Sequence, residues 1–221
     1  MNILFKLFVK NEYKNCKIAD YMSSLENTIL GLKLPTDPRW VDLTKFSLEE
    51  ILSDHAYCEQ KAASNAISLV QKYPEYTELV DELAPLVTEE WGHFRMVLSE
   101  IKKRNLVLGV QRKDEYVAAL MLHVKNGGHP IDRLLDRLLS FALIEARSCE
   151  RFRLLSEGLE DEYLKEFYRK FMISEAGHYR MFLDLAKKYC PEEKVQNRWK
   201  EWLAIEIDVL KNLPIRGDRM H

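Results

Sequence analysis

No apolar run in the 221 residues approaches the roughly 18 needed to cross a bilayer as a helix, so a helical membrane span is excluded. The opening Met1-Asn2-Ile3-Leu4-Phe5 is broken by Lys6 and Lys10 and lacks a small-residue cleavage site, which argues against a signal peptide and for a cytoplasmic protein. Cysteine pairing is also missing. Cys16, Cys58, Cys149 and Cys190 form no Cys-x-x-Cys, so thiolate metal modules are not expected and free thiols in a reducing compartment are. Nor is there an excess of positive charge: 33 Lys and Arg face 35 Asp and Glu, a net charge of −2. That balance excludes coating nucleic acid by bulk charge and leaves room only for a local basic patch. With 47% hydrophobic and 31% charged residues, the chain is expected to form one elaborated domain over 1–221.

What is present is a repeated anomaly. Leu164-Tyr168-Phe171-Glu175-His178-Phe182-Leu185 advances in steps of three and four, so all seven side chains share one helix face. Glu175 and His178 interrupt an otherwise apolar stripe. Leu79-Leu83-Leu86-Glu90-His93-Val97-Ile101 repeats the pattern. About 30 residues before each Glu-x-x-His stands another striped glutamate, Glu59 in Leu52-Ala56-Glu59-Ala63-Ala66-Val70 and Glu145 in Leu134-Leu138-Phe141-Glu145-Phe152-Leu155. A buried ionised carboxylate without a partner costs several kcal/mol, so four of them call for a counter-charge. Metal cations meet that need, with Glu59, Glu90, His93, Glu145, Glu175 and His178 as ligands.

Helix geometry supports the grouping. If the hairpins turn near Tyr73-Pro74 and Gly158, the paired glutamates stand about 14 and 16 residues from the turn, hence at similar height at 1.5 Å per residue. Glu150 is off that register. Two imidazoles and four carboxylates suit iron or manganese rather than zinc or copper, and four carboxylates neutralise two divalent ions. The competing structural reading is a buried polar network. Glu89 is a candidate to orient a ligand imidazole from outside. His55, His123 and His129 are read as surface or structural, Asp54 and Glu150 as solvated or supporting groups, and Tyr57 and Tyr179 as packing residues.

The architecture expected is all-α: a ferritin-like four-helix bundle with a long crossover between helices two and three and added helices at both ends. Bundle helices are expected at about 48–72, 75–104, 130–156 and 160–188, with a C-terminal helix at about 191–212 packed on the bundle. Ser47 and Glu50 form a capping-box pattern at the first start. Residues 1 to about 48 read as short helices and loops. Residues 105–129 are too long for a tight turn, contain a helical stretch near Asp114 to Val124, and require helices two and three to run parallel.

Several segments are similar to the MiaE-type tRNA hydroxylases: Thr36-Asp37-Pro38-Arg39-Trp40, Asp54-His55-Ala56-Tyr57-Cys58-Glu59, Glu90-Trp91-Gly92-His93-Phe94, Leu143-Ile144-Glu145-Ala146-Arg147-Ser148-Cys149-Glu150-Arg151-Phe152, Ser174-Glu175-Ala176-Gly177-His178-Tyr179 and the ending Arg219-Met220-His221. The resemblance runs over nearly the whole chain. It implies a di-iron, O2-dependent monooxygenase that hydroxylates the isopentenyl group of modified adenosine-37 beside the tRNA anticodon, with electrons from a reductase or ferredoxin-type partner. The family's ligands fall on the six residues already selected, and by analogy with related sites Glu90 and Glu175 would bridge the irons while Glu59 and Glu145 bind one each. An anticodon-loop base is single-stranded and can be splayed out, its prenyl group entering an apolar pocket while phosphates meet basic residues at the mouth. Candidates are Lys102, Lys103, Arg104, Arg112 and Lys113 after helix two, and Arg216 and Arg219 in the tail. Alternatives are a rubrerythrin-type oxidase or peroxidase, disfavoured by the missing Cys-x-x-Cys, and a non-catalytic iron-storage or scaffold bundle.

Overall fold

A computed structural model of the protein describes residues 30–221. Contacts divide the chain after Pro35, and Thr36–His221 forms the compact unit considered below. The single domain expected over 1–221, most of the short N-terminal elements and Cys16 reach into residues 1–29, outside those described. The described residues contain seven helices and no strand: α1 (Arg39–Lys45), α2 (Leu48–Lys72), α3 (Thr77–Lys103), α4 (Glu115–Met121), α5 (Pro130–Gly158), α6 (Glu162–Tyr189) and α7 (Glu192–Lys211).

The stripes become the core. α2 buries Leu52, Ala56, Glu59, Ala63 and Ala66, α3 buries Leu79, Leu83, Leu86, Glu90, His93 and Val97, and α6 buries Tyr168, Phe171, Glu175, His178 and Phe182. Above the polar layer, Leu52, Val97, Phe152, Tyr168 and Phe171 belong to one hydrophobic cluster with Trp40 of α1 and Met220 of the tail. α5 is buried almost all round because it is packed by the bundle on one side and by α4 and α7 on the other. Pro130 opens it at a position where its missing N–H is no loss, and Asp161 caps α6 by accepting from the N–H groups of Tyr163 and Leu164.

The direction of the crossover follows from contacts at the two ends of the bundle. Leu79, at the start of α3, donates its N–H to the Tyr189 hydroxyl at the end of α6 (3.0 Å). Arg104, at the end of α3, donates to Asp161 at the start of α6 (2.6 Å). α3 and α6 are therefore antiparallel. Since the short α5–α6 connection makes those two antiparallel as well, α3 and α5 run parallel, and residues 104–129 must return along the bundle.

One local expectation fails. Ser47 is the N-cap of α2 but its side chain makes no capping bond. Its hydroxyl instead donates to the Gly217 carbonyl at 2.8 Å, tying the C-terminal tail to the α1–α2 corner. A Cβ on Gly217 would lie 2.4 Å from the Leu43 carbonyl carbon, so only glycine lets the tail lie this close.

Candidate metal centre

Each of the four bundle helices delivers one buried glutamate to the same level. Glu59, Glu90, His93 and Glu175 bring ligand atoms within 4.8 Å of one another, as do Glu90, Glu145, Glu175 and His178. The two groups share Glu90 and Glu175, which gives a double site with two common carboxylates. His93 Nδ1 lies 3.3 Å from both Glu59 Oε2 and Glu90 Oε2. His178 Nδ1 lies 2.9 Å from Glu90 Oε1 and 3.3 Å from Glu175 Oε2. Both imidazoles thus turn Nδ1 inward and Nε2 outward.

The electrostatics show why a cation suits the place. Burial, then the neighbouring Glu90 carboxylate, pushes Glu59 well above the usual carboxylate range. Burial, then Glu175, does the same to Glu145. For Glu90 burial opposes ionisation, but His178 and His93 outweigh it and bring the carboxyl down to about 2. Burial alone would lower the two histidines. Contacts with Glu59 and Glu90 instead lift His93 to about 10, and contacts with Glu175 and Glu90 lift His178 to about 12. Four carboxylates thus compete for two imidazoles and for protons. The Oε1 atoms of Glu90 and Glu175 are buried without a well-angled hydrogen-bond donor, and a carboxylate oxygen so placed is available to a metal. Oxygen donors outnumbering nitrogen, with no sulfur among them, fit iron or manganese.

Two further groups touch the ligands. Glu89 lies with Oε2 3.4 Å from His178 Nε2 and Oε1 3.9 Å from His93 Nε2, and Ser174 donates to it at 2.5 Å. Its carboxylate therefore faces the outer edges of both imidazoles. His55 was missed. Fully buried among Phe152, Phe167, Tyr168 and Phe171, it brings Nε2 to 2.8 Å from Glu59 Oε1. The available signal was its position four residues before Glu59, one helical turn away. Glu150 and Asp54 are buried rather than solvated. Glu150 pairs with Arg147 and accepts from Thr36, and Asp54 accepts from Arg219 and from the Met220 N–H.

A cavity of about 70 Å³ reaches from the carboxylates toward solvent between α2, α4 and α5. Ala66, Leu86, Phe141, Ile144, Phe182 and Val117 give it apolar walls, while Cys58, Asp114, Ser148 and His221 line a polar side. Lys61 and Asn65 contribute as well.

Residues 23–221 match the family described as tRNA-(MS[2]IO[6]A)-hydroxylase (MiaE). The chain belongs to this hydroxylase family. It is 35% identical to the tRNA 2-(methylsulfanyl)-N(6)-isopentenyladenosine(37) hydroxylase of Pseudomonas putida, over 90% of this chain and 96% of that one. Its identity to the enzyme of the same name from Salmonella typhimurium is 28%, over 91% of each chain. Among solved structures it resembles a Synechococcus protein with aldehyde deformylating oxygenase activity, with a TM-score of 0.82, 36% identity, and coverage of 87% of this chain and 96% of that one. The ferritin-like assignment rests on that fold together with the helical bundle above.

The basic candidates separate into two places. Lys102, Lys103 and Arg104 end α3, where Arg104 pairs with Glu100 and Asp161 and Lys103 donates to Tyr163. By 1.5 Å per residue they stand roughly 18 Å along the helix from Glu90. The second place is the tail. Arg112 and Arg216 both bond Asp218, and Arg219 bonds Asp54; Lys113 is exposed beside Asp114 at the cavity. No described helix is long and apolar enough to cross a membrane.

Proposed function

We propose that this member of the hydroxylase family inserts one oxygen atom from O2 into the isopentenyl side chain of modified adenosine-37 in tRNA. The observation that carries the reading is the apolar cavity ending on the double carboxylate site. Such a cavity receives a prenyl group and excludes water from it. Overall, R–H, O2, two electrons and two protons give R–OH and water, the electrons coming from a reductase or ferredoxin-type partner. Two iron ions bound by Glu59, Glu90, His93, Glu145, Glu175 and His178 supply the reductive chemistry of O2. The chain's own residues do the rest. Glu90 and Glu175 are shared between the two halves of the site. Glu89 lies against the outer nitrogen of His178 and faces that of His93, and His55 packs its ring edge against Glu59. Phe141, Ile144 and Phe182 keep the reacting carbon dry. Phosphates of a splayed anticodon loop meet Lys113, Arg112, Arg216 and Arg219 beside the cavity, with Lys102, Lys103 and Arg104 farther off. The protein works in the cytoplasm, where its tRNA is, and residues 1–221 serve one domain.

The test is mass spectrometry of tRNA nucleosides after incubation of iron-loaded protein, O2 and an electron donor with prenylated tRNA. A gain of one oxygen on the prenyl side chain is expected. An unchanged nucleoside, with consumption of an aldehyde under the same conditions, would move the assignment toward the activity of the Synechococcus neighbour.

A further inference from the structure

Outside the metal cluster, the cavity holds a chain of three polar side chains from three distant parts of the sequence. His221 Nδ1 lies 3.1 Å from Asp114 Oδ2, and its Nε2 lies 2.9 Å from Ser148 Oγ. The His221 side chain is only 2% exposed and stacks on Tyr116 with centroids 5.3 Å apart and planes at 27°. The tail that carries it is fastened on both sides of the backbone, Met220 N–H and the Arg219 guanidinium donating to Asp54 and the Trp40 indole to the Arg216 carbonyl. Cys58 Sγ is 4.0 Å from Nδ1, so Cys58, Asp114 and His221 would also match a cation site. The hydrogen-bonded chain is favoured instead, because both ring nitrogens already have protein partners at hydrogen-bond distance.

An ionised carboxylate only accepts, so the imidazole proton facing Asp114 sits on Nδ1, and Nε2 meets the Ser148 hydroxyl. A hydroxyl oxygen has two lone pairs, so with this contact made Ser148 Oγ still offers one to the cavity. Ser148 follows Glu145 by three residues on α5, about 4.5 Å of rise on the same face. In a prenylated adenosine the N6 amine is a hydrogen-bond donor, and four bonds separate it from the terminal methyl carbon of the chain, a span close to one helical turn.

We propose that Ser148 Oγ accepts the N6–H of the prenylated adenine, with Asp114 and His221 as positioning residues that hold the hydroxyl as an acceptor, so that the prenyl terminus reaches the carboxylates at Glu145. This assignment rests on the tRNA reading above and adds the group that registers the side chain. It also gives the C-terminal histidine a task that its place in the cavity wall would otherwise not explain.

The experiment compares two nucleosides, N6-isopentenyladenosine and the ether analogue that carries oxygen in place of N6–H, binding to iron-loaded protein without reductant. The wild type is expected to bind the amine about five- to tenfold more tightly, the scale of one hydrogen bond. That preference should fall below about twofold in Ser148→Ala and in His221→Phe, which keeps a ring on Tyr116, and return in Ser148→Thr; the twofold limit is the lower edge of the hydrogen-bond range. Iron content should not change in any of the three. An equal preference in wild type and Ser148→Ala, or none in wild type, overturns the assignment while leaving the tRNA reading standing if prenylated tRNA is still hydroxylated. Failure of the wild type both to bind either nucleoside and to change prenylated tRNA overturns both.

Discussion

Two clusters of buried charge lie side by side on α5, and they solve the same problem in different ways. In one, Arg147 pairs with Glu150 and with Glu206 at 2.9 Å, Tyr116 donates to Glu206 at 2.8 Å, and Thr36 donates to Glu150 through both its hydroxyl (2.6 Å) and its N–H. The acids there have a resident cation and resident donors. In the other, beginning only two residues earlier at Glu145, four carboxylates have only two imidazoles to face. Burial is equally deep in both. The difference is the source of the counter-charge: one cluster carries it in a guanidinium that never deprotonates, and the other is a candidate metal site for which the proposed function supplies it as iron. Helical register separates Glu145 from Glu150 in the sequence, but the partners that Glu150 takes, Arg147 and the distant Thr36, appear only in the fold.

The contrast predicts opposite responses to removing one partner. Arg147→Ala leaves Glu150 and Glu206 buried without their cation and should destabilise the protein by about 3–5 kcal/mol in denaturant unfolding; a loss below about 1 kcal/mol, the size of a surface pair, would mean that the network is dispensable. The Asp114–His221 anchor at the cavity gives an intermediate effect. Burial opposes ionisation of Asp114, but the nearby His221 outweighs it and holds the carboxyl down to about 2, against 3.8 for a free aspartate. A depressed acid stabilises the fold above its unfolded value, and that contribution disappears as pH falls from about 4 to about 2, amounting to about 2 kcal/mol. Unfolding curves of Asp114→Asn should lack this part of the acid dependence, and parallel curves would remove the anchor. The smallest effect has the reverse sign. Glu145→Gln relieves the cost of burying an ionisable acid, and after it the crowding by Glu175, in metal-free protein and should stabilise it by about 1 kcal/mol, whereas destabilisation there would show the acid cluster to be self-sufficient.

How much of this was legible in the sequence depended on the distance over which each contact reaches. Glu90, His93, Glu175 and His178 stood out because helical periodicity marks a buried face within a dozen residues, and a charge on that face is conspicuous. Glu59 and Glu145 needed only one further step, equal height across a hairpin. Ser47 was misread because its hydroxyl answers a carbonyl 170 residues away rather than its own helix. Glu150 was misjudged for the same reason, its donor Thr36 lying 114 residues off. His221 and Ser148 had no local signal, since their meeting depends on where the tail is fastened by Trp40, Asp54 and Gly217. His55 did have one, and its spacing from Glu59 was passed over.

On the proposed function, the acid-rich cluster holds two metal ions and the arginine-bearing one none. Iron analysis of reconstituted protein tests it directly, comparing the wild type with Glu145→Ala and Glu150→Ala. The account predicts close to two irons per chain in the wild type, a clear loss in Glu145→Ala, and near-wild-type iron in whatever fraction of Glu150→Ala remains folded. A reproducible value near one iron, zinc held in place of iron, or greater loss in folded Glu150→Ala than in Glu145→Ala would contradict it.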